Sequence, residues 1–105
     1  MRRGEVWLAN LDLTIGAEIQ KTRPCVLISP PEMHDHLRTV VIAPMTTGNR
    51  GAPFRVPASH AGKNGLILLD QIRAIDKSRL IKCLGVLAPD TMAATLDALR
   101  AIFHD

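Results

Sequence analysis

Aromatic side chains are scarce in this chain: Trp7, Phe54 and Phe103 are the whole complement, and tyrosine is absent. A row of stacking platforms for unpaired bases is therefore excluded, and any nucleic acid would be held through its backbone and through hydrogen bonds. Cysteine is limited to Cys25 and Cys83. Both fall within apolar strand patterns, which predicts two small buried hydrophobes rather than a disulfide or a metal pair. No apolar run approaches the roughly 20 residues that span a bilayer, and the N-terminus lacks the apolar stretch and cleavage site of a signal peptide. A cytoplasmic protein with no membrane partner is the expectation. His34-Asp35-His36 has a spacing that can chelate zinc, but it sits in a polar turn with no third ligand in sequence. A solvated turn is expected there, with neither metal nor cofactor.

What is present suits one compact domain over residues 1–105, with 47% hydrophobic and 22% charged residues. The formal net charge is +3, and arginines outnumber lysines nine to four. A mildly basic balance favours a polyanionic partner, and the planar fork of arginine suits phosphate. Short apolar runs predict strands at Gly4 to Leu11, Pro24 to Ser29, Arg38 to Met45, around Phe54-Arg55-Val56, and at Arg79 to Leu84. Glu32 to His36 predicts a short helical turn. Gly65 to Ile75 is one long apolar run with Asp70-Gln71 inside it, where a bulge or bend is expected. Pro89 then opens a helix whose Met92, Leu96, Leu99 and Phe103 recur at spacings of three and four. A mainly β chain closed by one amphipathic helix predicts a small β-barrel or curled sheet.

Two strand ends carry the chemistry. Lys21-Thr22-Arg23 stands at the mouth of the apolar run Cys25 to Ile28, and Thr46-Thr47 ends the run Val40 to Met45. Polar groups placed at the ends of neighbouring buried strands can meet in one groove. Taken alone, Arg23 suits a surface salt bridge and Thr46 a turn hydroxyl. Asp70 reads as a buried structural acceptor bonded to backbone or to Arg73, and Trp7 and Leu8 as core. Arg50 and Arg55, flanking the Gly48-to-Gly51 turn, suit either phosphate contact or a solvated loop. His36 and His60 could form an acid–base pair, but nothing in the sequence fixes their separation.

In order and spacing, Arg3-Gly4-Glu5-Val6-Trp7, Gly16-Ala17-Glu18, Lys21-Thr22-Arg23-Pro24, Ala43-Pro44-Met45-Thr46-Thr47-Gly48, Leu69-Asp70-Gln71-Ile72-Arg73, Ile75-Asp76 and Arg79-Leu80 resemble the MazF/PemK toxins of type II toxin–antitoxin modules. The likeness runs over nearly the whole chain. It implies an SH3-like or CcdB-type β-barrel with a C-terminal helix, a homodimer, and a metal-independent endoribonuclease acting on single-stranded RNA. It also implies a MazE-like antitoxin whose acidic disordered tail lies in the RNA groove. The PemK branch has a histidine where this chain has Ala17 and an arginine where it has Leu68, so the MazF-like branch fits better.

The resemblance assigns catalysis to Arg23 and Thr46. It places Glu18 in the substrate loop as a candidate base; Lys21, Thr47, Arg50 and Gln71 are the candidate RNA-binding residues, Gln71 suiting a satisfied half-buried amide equally well. Arginine cannot serve as the base, because its pKa lies far above any working pH. It can clamp the phosphate or protonate the leaving oxygen. Two other functions share parts of this pattern. A CcdB-like gyrase poison needs a terminal tryptophan motif, and this chain ends Ala101-Ile102-Phe103-His104-Asp105. A catalytically silent dimer that only binds antitoxin would be indifferent to loss of Arg23.

Overall fold

A computed structural model describes residues 1–12, 16, 21–48 and 51–105. The chain forms strands β1 (Glu5–Asn10) and β2 (Thr22–Leu27), a helical turn α1 (Pro31–His34), strands β3 (Thr39–Thr46), β4 (Arg55–His60), β5 (Lys63–Leu68), β6 (Arg73–Asp76) and β7 (Leu80–Val86), and helix α2 (Pro89–Ile102). All ladders are antiparallel, and the main sheet runs β6-β3-β2-β1-β7. β4 and β5 form a hairpin attached to the last two residues of β3 through Met45↔Ile67 and Thr46↔Leu66. The expected bend in the long apolar run is a 3-10 turn, Leu69–Gln71, which separates β5 from β6. No helix among the described residues is long and apolar enough to cross a membrane.

The unbroken apolar runs follow from a sheet covered on both faces. Val26 and Ile28 join Val6, Ala43, Met45, Ile67 and Leu99 in one core, against which Met92, Leu96 and Ile102 of α2 pack. Cys25 and Leu27 point the other way, into a second core with Ala9, Leu11, Val40, Ile42 and Ile75. Successive residues of one strand thus serve two cores, so neither face shows polar alternation.

Four expectations are corrected. Cys25 is buried, but Cys83 is exposed. Phe103 is 75% exposed because the helix ends at Ile102, one residue short of it. Two turns earlier an inward position is filled by Thr95, buried with its hydroxyl donating to the Thr91 carbonyl at 2.8 Å. Trp7 is only partly buried, lying over the second core with its indole N–H donating to Glu5 Oε1 at 2.9 Å. That bond is the main reason the Glu5 carboxyl sits below its ordinary pKa.

The fourth correction is His34, which is fully buried rather than solvated. Ser29 Oγ accepts the Val41 N–H at 3.1 Å, so its own proton is free to be donated to His34 Nδ1 at 2.9 Å. His34 Nε2–H then donates to the Met1 carbonyl at 3.0 Å. Through its two nitrogens the ring ties the N-terminal residue to the β2–β3 connection. His34→Ala removes the donor to Met1 and the acceptor of Ser29 at a dry site, and should lower unfolding free energy by about 2–3 kcal/mol in a urea titration.

Candidate active site

Arg23 and Thr46 come together because two ladders of β3 meet there. The β2–β3 pairing runs Leu27↔Ile42, Val26↔Ala43, Cys25↔Pro44 and stops. Carried two residues further, the register would set Arg23 opposite Thr46. Pro24 supplies no N–H for another rung, and β3 instead pairs with β5 from Met45 onward. The close approach of β5 requires glycine at position 65, where a β-carbon would overlap the Thr46 carbonyl oxygen and crowd Thr47 Cα at 3.3 Å. The two strand ends, no longer paired with each other, frame an opening.

That opening is a cavity of about 290 Å³ lined by Arg23, Pro24, Met45, Thr46 and Thr47, by Ala58, His60, Ala61, Lys63, Asn64 and Gly65 of the hairpin, and by Leu84 of β7. It carries two formal cations, Arg23 and Lys63, and no carboxylate among the described residues. Arg23 Nε and His60 Nε2 are both buried without a hydrogen-bond partner among those residues. Buried polar atoms are ordinarily paired, and each missing partner costs about 1–3 kcal/mol. Thr46 Oγ1 accepts the Gly48 N–H at 3.4 Å, a long bond that leaves the hydroxyl proton free to be donated. A bound anion would complete the Arg23 and Thr46 donors.

The remaining sequence-nominated residues fall elsewhere. Lys21 is exposed at a positive φ of 68° just before β2 and is not part of the lining. Gln71 belongs to the 3-10 turn and does not line the cavity either. Glu18 and Arg50 lie outside the described residues. Asp70 is exposed, and its partner is Arg55 through two bonds of 3.1 and 3.0 Å, not Arg73. Arg55 is thus engaged in an ion pair. Cys25 is chemically quiet, its thiol pushed up to about 12 by burial.

Sequence reasoning missed the hairpin's contribution. His60 and Lys63 are register partners flanking the two-residue turn Ala61-Gly62, whose φ angles of 53° and 76° are both positive. This is the signature of the type I′ turn. The available signal was a two-residue loop between alternating runs, obscured by alanine where asparagine is usual.

A family model described as "PemK-like, MazF-like toxin of type II toxin-antitoxin system" matches residues 2–103. The chain belongs to the PemK-like, MazF-like toxin family. It is 40% identical over 81 residues to the endoribonuclease PemK of Escherichia coli, a match covering 72% of this chain and 61% of that protein. It is 35% identical over 105 residues to the endoribonuclease MazF of Staphylococcus epidermidis, covering 94% and 88% of the two chains. The crystal structure of MazF (Form-I) from Deinococcus radiodurans superposes with a TM-score of 0.88 at 25% identity, over 100% of this chain and 97% of that one.

Within this family member, the N-terminal motif is architectural. Gly4, at φ 93°, donates to Leu27 O and accepts from Leu87 N, both at 2.9 Å, and Arg3 Nε donates to Ile28 O at 2.8 Å. These bonds hold the start of β1 between the ends of β2 and β7.

Two outcomes follow. Gly65→Ala should cost about 1–3 kcal/mol by forcing β5 off β3, whereas Gly51→Ala, where a β-carbon meets nothing within 4 Å, should stay within about 0.5 kcal/mol of the parent in the same urea titration. The Arg55 guanidinium beside Asp70 holds its carboxyl below the ordinary range. Its contribution is therefore present above the unfolded carboxylate pKa and lost as pH falls through the lower folded value. Asp70→Asn should lower the thermal midpoint near neutral pH and leave it unchanged in acid, where both chains are protonated at that site or uncharged.

Proposed function

We propose that this chain is the toxin of a type II toxin–antitoxin module and a metal-independent endoribonuclease that cuts single-stranded RNA, mRNA included, and so arrests translation and growth. The observation that carries the reading is the cavity at the neighbouring ends of β2 and β3, which among the described residues has no carboxylate in its lining and where the Arg23 guanidinium has a buried N–H with no partner among those residues. Family membership and the endoribonuclease relatives support it.

In this reading the scissile phosphate sits between Arg23 and Thr46. The neighbouring 2′-hydroxyl attacks phosphorus, and the products are a 2′,3′-cyclic phosphate and a 5′-hydroxyl. Arg23 neutralises the charge that grows on the non-bridging oxygens, an electrostatic effect that needs no rearrangement at the moment of reaction. Thr46 donates to the same phosphate or orients the 2′-hydroxyl. Thr47 and Lys63, at the cavity wall, contact the flanking backbone, while Lys21 and Gln71 read the RNA beyond the cavity; Arg50 is a further RNA contact, and Glu18 serves the substrate loop as an RNA reader or acid–base group. A homodimer acting in the cytoplasm, silenced by a MazE-like antitoxin whose acidic segment fills the same cationic groove, completes the proposal.

The test is incubation of the purified protein in EDTA with a long single-stranded RNA, beside Arg23→Ala and Thr46→Ala, followed by mapping of the new 5′ ends. Discrete sites with 5′-hydroxyl ends are expected, with Arg23→Ala slowed about 100- to 1000-fold. Intact RNA after exposure to folded parent protein would reject the reading in favour of a silent antitoxin-binding dimer or a gyrase poison.

A further inference from the structure

The chemistry assigned to Arg23 and Thr46 leaves His60 unused, although β7 makes room for its ring. His60 ends β4 at the type I′ turn, and its imidazole lines the same cavity as Arg23 and Thr46. Opposite it, β7 carries Gly85 at φ 133°, where a β-carbon would stand 3.1 Å from His60 Cε1. The strand is thus bare at the point where the ring lies against it. Nε2 has no partner among the described residues.

The RNA-cleavage reading, on which this inference rests, requires a group that removes the 2′-hydroxyl proton. Among the described lining residues the choice is narrow. Arginine does not release its proton at working pH, lysine is ordinarily charged, and a threonine hydroxyl is not basic. Imidazole is the one side chain there whose neutral form offers a nitrogen lone pair near neutrality. We propose that His60 is the general base of the reaction.

The step balances without a co-reactant other than water. The 2′-hydroxyl proton passes to a ring nitrogen of His60 as O2′ forms its bond to phosphorus. The P–O5′ bond breaks, its electron pair leaves on O5′, and O5′ takes a proton from solvent water. The imidazolium then returns its proton to solvent. Among the described residues, Arg23 from β2 and Lys63 from β5 are the charged groups lining the cavity with the ring; Leu84 of β7 lines it too, and Gly85 of β7 lies against the ring.

The experiment is single-turnover cleavage of one RNA substrate across pH by the parent protein, His60→Ala and His60→Gln, each first matched to the parent in thermal midpoint and RNA affinity. A loss of at least about 100-fold is expected near neutral pH, together with loss of the acid-side limb of the pH profile and partial rescue of His60→Ala by free imidazole. A substrate with sulfur in place of the 5′-bridging oxygen separates base from acid, because its leaving group needs no proton. The His60 defect should persist on it. Disappearance of the defect on that substrate would reassign His60 as the acid and overturn the proposal, as would an unchanged profile in a folded variant. Failure of the parent protein to cleave any RNA would instead overturn the ribonuclease reading itself, independently of either variant.

Discussion

The architecture turns on one close approach, the backbone of β5 against the end of β3 at Gly65 and Thr46. Only a residue without a β-carbon allows it. With β5 seated there, β3 gives up its ladder with β2 at Cys25↔Pro44, and Arg23 and Thr46, which a continued register would set opposite each other, are left facing an opening. The same contact carries the β4–β5 hairpin to the rim, delivering His60 and Lys63. One steric allowance thus assembles groups from three separate strands, and buried polar atoms of Arg23 and His60 have no partner there among the described residues. Sites of binding are where a fold tolerates such unpaired groups.

Much of this was legible in the sequence. The strands follow from continuous apolar runs, and the terminal helix from Pro89 and the three-and-four spacing behind it. The polar residues at two strand mouths were identifiable because charge at the edge of an apolar strand is anomalous, and the structure brings Arg23, Thr46 and Thr47 to one cavity. What was hidden depended on three-dimensional partners. Asp70 reads as buried because its neighbours are apolar, but the 3-10 turn swings it outward to Arg55. His34 reads as solvated because its neighbours are polar, but α1 folds it inward onto Ser29 and Met1. Cys83 alternates outward on β7, a strand whose sequence carries no clear two-residue period. His60 was visible as a residue, but no local pattern shows which strand end a hairpin will reach.

The motif residues divide into two physical groups. Arg3, Gly4, Glu5 and Trp7 spend their hydrogen bonds on the ends of β2 and β7 and on one another, which fixes the sheet. Arg23 and Thr46 leave hydrogen-bonding capacity unspent at the cavity. Family likeness is thus strongest in meaning where the side chains are least satisfied by the fold itself, and a cavity whose described lining holds Arg23 and Lys63 and no carboxylate favours an anion over a neutral ligand.

The most direct measurement is a crystal structure of the protein with a short RNA whose attacking 2′-hydroxyl is replaced by hydrogen, so that binding occurs without cleavage. The account predicts one phosphate within hydrogen-bonding distance of the Arg23 guanidinium and the Thr46 hydroxyl, with the 2′-carbon of the preceding sugar turned toward His60. RNA bound to another face, with the opening between β2 and β3 left vacant, would contradict it.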